Sequence, residues 1–322
     1  MKKLFLISVV TTGLLYAQYT NCEFKNERYT KVCKKAVASG VSISYANRFL
    51  LDYFKTKFYD DVSWKYLQPS KIKYHRAKEK EANNALVPYV PKMVKNLQEY
   101  KYAYDKAEKK YGVNREIIAA ILLKETRLGA IKPKHDAFIV FNTIVTRTEG
   151  KTSREKWLLR MATNNMAAVI KHCYKAGVQP SECNLPSSYA GAIGIAQFMP
   201  TSFRYAESYD GQSADLTKME DAILSVAKFL HEKAHFDTLL DFSQLPDVAK
   251  VEKEWYRYEY EHKDASFVYE KSRSGKVYNC FTKSKPELSY MKEYVKKIMR
   301  YNNSSNYAVG VLRLAYEAHK KL

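Results

Sequence analysis

Seven consecutive apolar residues, Ile117 to Leu123, leave no polar side for water to cover. As a helix, such a segment belongs inside a domain, with other helices packed around it. Asn114 suits the cap before it and Gly129 the stop after it. The rest of the chain must then supply helices with one apolar stripe each, and it does. From Pro91 to Gly112 the residues Met93, Leu97, Tyr100, Tyr104, Ala107 and Tyr111 recur at three- and four-residue steps. Met219, Ile223, Val226 and Leu230 form a second stripe, and Leu288, Met291, Tyr294, Val295 and Ile298 a third. Thr152 to Glu155 and Thr217 to Glu220 carry the capping-box pattern, which predicts helix starts near 153 and 218. A break at 302–305 precedes a final helix from Asn306 to His319. One stretch departs from this period. Tyr256, Tyr258 and Tyr260 alternate, as do Phe267 and Tyr269, with a turn at Ser272 to Gly275, which reads as a small β-hairpin insertion. The fold class is mainly α with one short β element.

The N-terminus reads as an export signal. Lys2 and Lys3 precede an apolar run from Leu4 to Leu15 that closes on Ala17, too short for a membrane anchor. Cys22 lacks the small residues before it that lipidation would want, so the mature protein is expected to be soluble in the periplasm, with no transmembrane segment. Export places all five cysteines in an oxidising compartment. Cys22 with Cys33 and Cys173 with Cys183 are close pairs that would each close a short loop, leaving Cys280 over. The alternative is that all five are small buried apolar residues. No CxxC or clustered histidine suggests zinc. The net charge of +20 is lowered by two when Lys2 and Lys3 leave with the leader. That charge suits an acidic partner or a solvated lysine-rich surface; with no recognition motif in an exported chain, nucleic acid is not expected.

Three segments carry chemistry. Glu125, in Ile121-Leu122-Leu123-Lys124-Glu125-Thr126-Arg127-Leu128-Gly129, shares a helical stripe with Ile121 and Ile118. A carboxyl group on an apolar stripe is desolvated and stays protonated longer, as a general acid requires; a structural ion pair is the other reading. Ser188-Tyr189-Ala190-Gly191-Ala192-Ile193-Gly194-Ile195-Ala196-Gln197-Phe198-Met199-Pro200 combines two glycines, which permit close backbone approach by a helix or a ligand, with the amide of Gln197. Arg300-Tyr301-Asn302-Asn303-Ser304-Ser305-Asn306-Tyr307-Ala308 places two tyrosines and an amide in a helix break. Asp136 lies nearby in sequence, in the stretch His135-Asp136-Ala137, and capping is the role expected of it.

Together these segments resemble the lytic murein transglycosylases of the membrane-bound lytic transglycosylase B type, over roughly a third of the chain. The resemblance implies a lysozyme-like helical catalytic domain with a glycan-strand groove. Glu125 stands at the position of the family's catalytic glutamate, and Ser188, Gln197, Phe198, Tyr301, Asn302 and Tyr307 at positions that line its groove. The implied activity is non-hydrolytic cleavage of peptidoglycan between N-acetylmuramic acid and N-acetylglucosamine, giving 1,6-anhydromuramic ends. A hydrolytic muramidase or a non-catalytic peptidoglycan-binding scaffold on the same fold are the alternatives. Many members carry an acidic calcium loop after the glutamine motif. Here only Asp210 and Asp215 remain in that loop, so neither metal nor cofactor is expected. The expected organisation is a signal peptide at 1–17, an N-terminal helical region at 18–90, a lysozyme-like core at 91–240, the hairpin insertion at 241–285, and C-terminal helices at 286–322 that return to the groove.

Overall fold

A computed structural model of the protein describes residues 21–52, 59–68, 72–262, 265–268 and 280–322. The expected leader at 1–17 lies outside these residues. The regular elements described in the N-terminal region are helices. Asn26 caps α1 (Glu27–Ala38), and a disulfide from Cys22 to Cys33 ties the preceding segment onto it. α2 (Ile43–Asp52) follows. Asp60 starts α3 (Asp61–Leu67) by accepting the Ser63 N–H at 2.8 Å, and its other carboxylate oxygen lies 2.7 Å from His135 Nδ1. α4 (Ile72–Leu86) completes the region.

The stripe from Pro91 to Tyr111 is two helices rather than one. α5 (Val90–Glu99) and α6 (Lys101–Tyr111) meet at Tyr100, whose ψ of 28° breaks the run. Side-chain spacing cannot register that break, because the apolar stripe continues across it. Next comes α7 (Arg115–Thr126), with Ile117 to Leu123 fully buried. Asn114 does not cap it through its side chain. The amide instead clasps Leu240, donating to its carbonyl at 3.0 Å and accepting from its N–H at 2.7 Å.

A two-residue strand β1 (His135–Asp136) pairs antiparallel with β2 (Pro186–Ser187). Asp136 then caps α8 (Ala137–Arg147), accepting the Ile139 N–H at 3.1 Å. Thr152 and Glu155 form the expected capping box of α9 (Ser153–Lys175), and Cys173 near its end is bonded to Cys183. α10 (Met219–Ala234) starts where expected but without its box: Thr217 turns its N–H and hydroxyl to Asp215, at 2.9 and 2.7 Å.

The expected hairpin at 241–285 is corrected by α11 (Val248–Glu261). Asp247 caps this helix, and Val248, Val251, Glu252 and Trp255 form its buried face. The tyrosines at 256, 258 and 260 only mimicked strand alternation while fanning around the helix. The expected turn at 272–275 lies outside the described residues. α12 (Ser289–Ile298) and α13 (Ser305–His319, capped by Ser304) end the fold.

The buried side chains form two clusters. The larger gathers α5, α6, α7, α10, α11, α12 and α13. The smaller gathers α1, α2, α8 and α9 and contains both disulfides. Cys280 is a free, buried thiol bonded to Phe267 and Thr282. No described helix is long and apolar enough to cross a membrane.

Candidate active site

The segment from Ala190 to Pro200 lies where the two clusters meet. Ile193 belongs to the smaller core, Ala196 and Phe198 to the larger. The chain makes this crossing as a tight loop rather than a helix. Ile193 and Phe198 exchange both backbone hydrogen bonds at 2.9 Å, and residues 194 to 197 form the tip. Gly194 is left-handed at φ 75°, and a Cβ there would lie 2.4 Å from Leu216 Cβ. The Ile195 N–H donates to the carbonyl of that same Leu216 at 2.8 Å. The small residues of this motif therefore serve close backbone approach, as expected, with a second loop as the neighbour.

Three carbonyls of the tip accept hydrogen bonds. Thr126, at the end of α7, donates its hydroxyl to the Ile195 carbonyl at 2.9 Å and accepts the Gly129 N–H at 3.0 Å. Tyr301 donates its hydroxyl to the Ala196 carbonyl. Gln197, itself left-handed at φ 51°, donates from Nε2 to the Gly194 carbonyl at 2.9 Å. All three sequence segments thus converge on one loop, and Glu125 sits beside it in the last turn of α7.

Glu125 is half-buried. Burial pushes its carboxyl group up to about 7. A hydrogen bond from Tyr307 and the charge of Lys124 oppose that shift, and the charge of Glu79 adds to it. The Tyr307 hydroxyl donates to Glu125 Oε1 at 2.7 Å. Tyr307 is buried, and its phenol is pushed far above the ordinary tyrosine range, so it remains a donor at every relevant pH.

The other expected residues divide. Ser188 is half-buried at the mouth of the loop, with Oγ accepting the Ala192 N–H at 3.2 Å. Asn302 is exposed in the turn before α13. Tyr301 is half-buried, its ring 4.9 Å from that of Phe229. Phe198 is a correction: at 2% exposure it packs between the rings of Phe229 and Tyr301, supporting the loop from behind instead of lining the groove. A large aromatic ring on a loop anchored to the main core is better buried than wet.

Three residues at this site had no signal of their own in the sequence. Tyr189 is 40% exposed, and its ring is tilted against that of Tyr66 of α3, with centroids 5.5 Å apart. Burial, first, and the charges of Glu79 and Glu125 raise its phenol above the ordinary tyrosine range. Tyr66 and Glu79 come from the N-terminal region, where no motif marks them.

The acidic loop does not fit calcium. Asp210 accepts from Ser208 and Gln212 within its own turn, and Asp215 from Thr217. Asp221 accepts the N–H groups of Tyr209 and Asp215, both at 2.7 Å. Among the described residues no three acidic, histidine or cysteine side chains gather for a metal, whereas calcium wants six to eight oxygens.

The family model described as "Transglycosylase SLT domain" matches residues 25–316. Membrane-bound lytic murein transglycosylase B of Escherichia coli (strain K12) is 33% identical over 143 residues, which cover 42% of this chain and 36% of that protein. The chain thus matches about a third of that relative's length. The Escherichia coli lytic transglycosylase Slt35, solved in complex with bulgecin A, is similar in fold, with a TM-score of 0.63 and 20% identity over 92% of this chain and 94% of that one. SltB3 from Pseudomonas aeruginosa, solved in complex with NAG-anhNAM-pentapeptide, has a TM-score of 0.53 and 18% identity over 92% of this chain and 79% of that one.

Proposed function

This chain belongs to the transglycosylase SLT domain family, and from that premise we propose that it is a lytic transglycosylase of peptidoglycan. It cuts the β-1,4 bond between N-acetylmuramic acid and N-acetylglucosamine without consuming water. One observation carries the reading: a single carboxyl group, Glu125, lies half-buried at the meeting of the three motif segments, held near neutral proton affinity and hydrogen-bonded by Tyr307. The muropeptide complex of SltB3 and the match to the Escherichia coli enzyme support the same substrate class.

Glycosidases ordinarily need two carboxylates, one as acid and one as nucleophile or base. One suffices if the substrate supplies the rest. Glu125 gives its proton to the glycosidic oxygen, and the N-acetylglucosamine side leaves with that proton on its hydroxyl. The 2-acetamido oxygen of N-acetylmuramic acid stabilises the cationic anomeric carbon. The Glu125 carboxylate then takes the proton of the same sugar's C6 hydroxyl as its oxygen bonds to C1. The ring closes as 1,6-anhydromuramic acid and Glu125 is again an acid. Intramolecular attack outcompetes free water because its translational entropy is already lost. Tyr307 stabilises the carboxylate between the two transfers. Ser188, Gln197 and Asn302 orient the sugar, and Tyr301 holds the loop that carries Gln197. The two disulfides support export to an oxidising space, here read as the periplasm through the leader at 1–17, as a soluble protein.

Mass spectrometry of products from purified sacculi tests this. Wild type should release 1,6-anhydromuramic ends, and Glu125→Gln almost none. Reducing muramic ends as the main product would make the protein a hydrolase. Undiminished activity in Glu125→Gln would remove that residue from the reaction.

A further inference from the structure

Lys124 immediately precedes Glu125, yet its side chain is only 3% exposed. An ammonium is costly to bury unless it is paired. Its partners come from α4: Nζ donates to Asn83 Oδ1 and, at 3.2 Å, to Glu79 Oε1. Nζ also lies 4.8 Å from the ring centroid of Tyr307, the residue whose hydroxyl bonds Glu125. The seat is built to measure. Asn83 donates to the carbonyl of Asn306 in α13 at 2.8 Å, and Gly310 on the same helix leaves room for it. A Cβ at Gly310 would fall 2.3 Å from the Asn83 side chain.

Consecutive helical residues point about 100° apart, so Lys124 and Glu125 do not touch directly along α7. They meet through Tyr307. A cation over the ring draws electron density from it and makes the hydroxyl a stronger donor to Glu125. Glu79, 3.2 Å from the same ammonium, offsets this effect. The other titratable groups turned toward Glu125 are Tyr301, Tyr307 and Tyr189, all neutral near pH 7 because burial raises each phenol.

We propose that Lys124 and Glu79 are positioning residues of opposite sign that poise Glu125 between the two proton transfers. Lys124 favours the carboxylate that receives the C6 proton, and Glu79 favours the acid that gives one up. The proposal rests on the acid-then-base role given to Glu125 above.

The test has two readouts: the 13C shift of the Glu125 carboxyl group against pH, assigned by its loss in Glu125→Gln, and the alkaline limb of kcat/KM on purified glycan strands. Lys124→Met should move both upward by about one pH unit. Glu79→Gln, which keeps a hydrogen-bond partner for the ammonium, should move both downward by a smaller step. The double variant should return towards wild type. Shifts of the same sign, or rates that fall while the carboxyl titration stays in place, would reduce the pair to structural support. If Lys124→Met fails to fold, Glu79→Gln alone decides, and a titration it leaves unmoved overturns the proposal. The carboxyl titration stands whatever the product. Muramic ends of the hydrolytic kind would overturn the reaction assigned above without touching this result.

Discussion

Glu125 makes the folded protein sensitive to pH in a direction opposite to most carboxylates. Its proton affinity in the fold, about 7, lies above the ordinary value of 4.5. Between those values the folded state holds a proton that the unfolded chain has released, so stability falls as pH rises through this window. Below pH 4.5 the two states are alike and the penalty vanishes. Glu125→Gln cannot ionise, so it should be more stable than wild type at pH 8 by about 3 kcal/mol and equal to it near pH 4. Thermal unfolding at the two pH values checks this, and a pH-independent difference would deny the burial argument. Tyr307→Phe keeps the ring and loses the donor. Glu125 should then hold its proton to higher pH, with the rate cut about 10²-fold because the intermediate carboxylate has lost its partner. At this scale the sequence was partly legible. Glu125, Gln197 and Tyr307 carry motifs. Lys124 read only as a neighbour, because its burial depends on Asn83 and Glu79 from another helix. Phe198 was placed in the groove because a motif records adjacency and not which way a ring turns.

Helices were easier to read than the loops that hold the site. The capping box of α9 and the buried run of α7 are local and strong. The box at Thr217 failed because Asp215, two residues away, competed for the same donors. α11 was hidden by tyrosines spaced two apart, although Asp247 and the stripe from Val248 to Trp255 could have revealed it. The loop between Ile193 and Phe198 was legible only as a place of close approach, since its neighbour Leu216 lies beyond it in the chain. That approach is testable. Gly194→Ala puts a Cβ 2.4 Å from Leu216 at a left-handed position and should cost about 2–3 kcal/mol, with activity lost as Ile195 and Ala196 leave their partners. Gly211→Ala has the same hand, φ 81°, but nothing within 4 Å, and should cost only about 1 kcal/mol with activity retained. Equal losses, measured by denaturant unfolding, would contradict the packing account.

Across the whole molecule, covalent reinforcement is one-sided. Both disulfides brace the smaller core, while the larger core, with α7 and α13, contains no disulfide among the described residues. Mild reduction should therefore speed amide exchange in α1, α2 and the end of α9 while leaving α7 and α13 protected; uniform loosening would show that the two cores open as one. The pairing of Glu125 with Tyr307 adds a constraint in time. The two residues are 182 positions apart, so the carboxyl group is made long before its phenol partner. Until α13 docks against α7, the Glu125 carboxyl group lacks the Tyr307 donor and the desolvation that keeps its proton near neutrality. If the chain cuts peptidoglycan as proposed above, a cell is spared that activity for as long as the chain is unfinished or unfolded in transit.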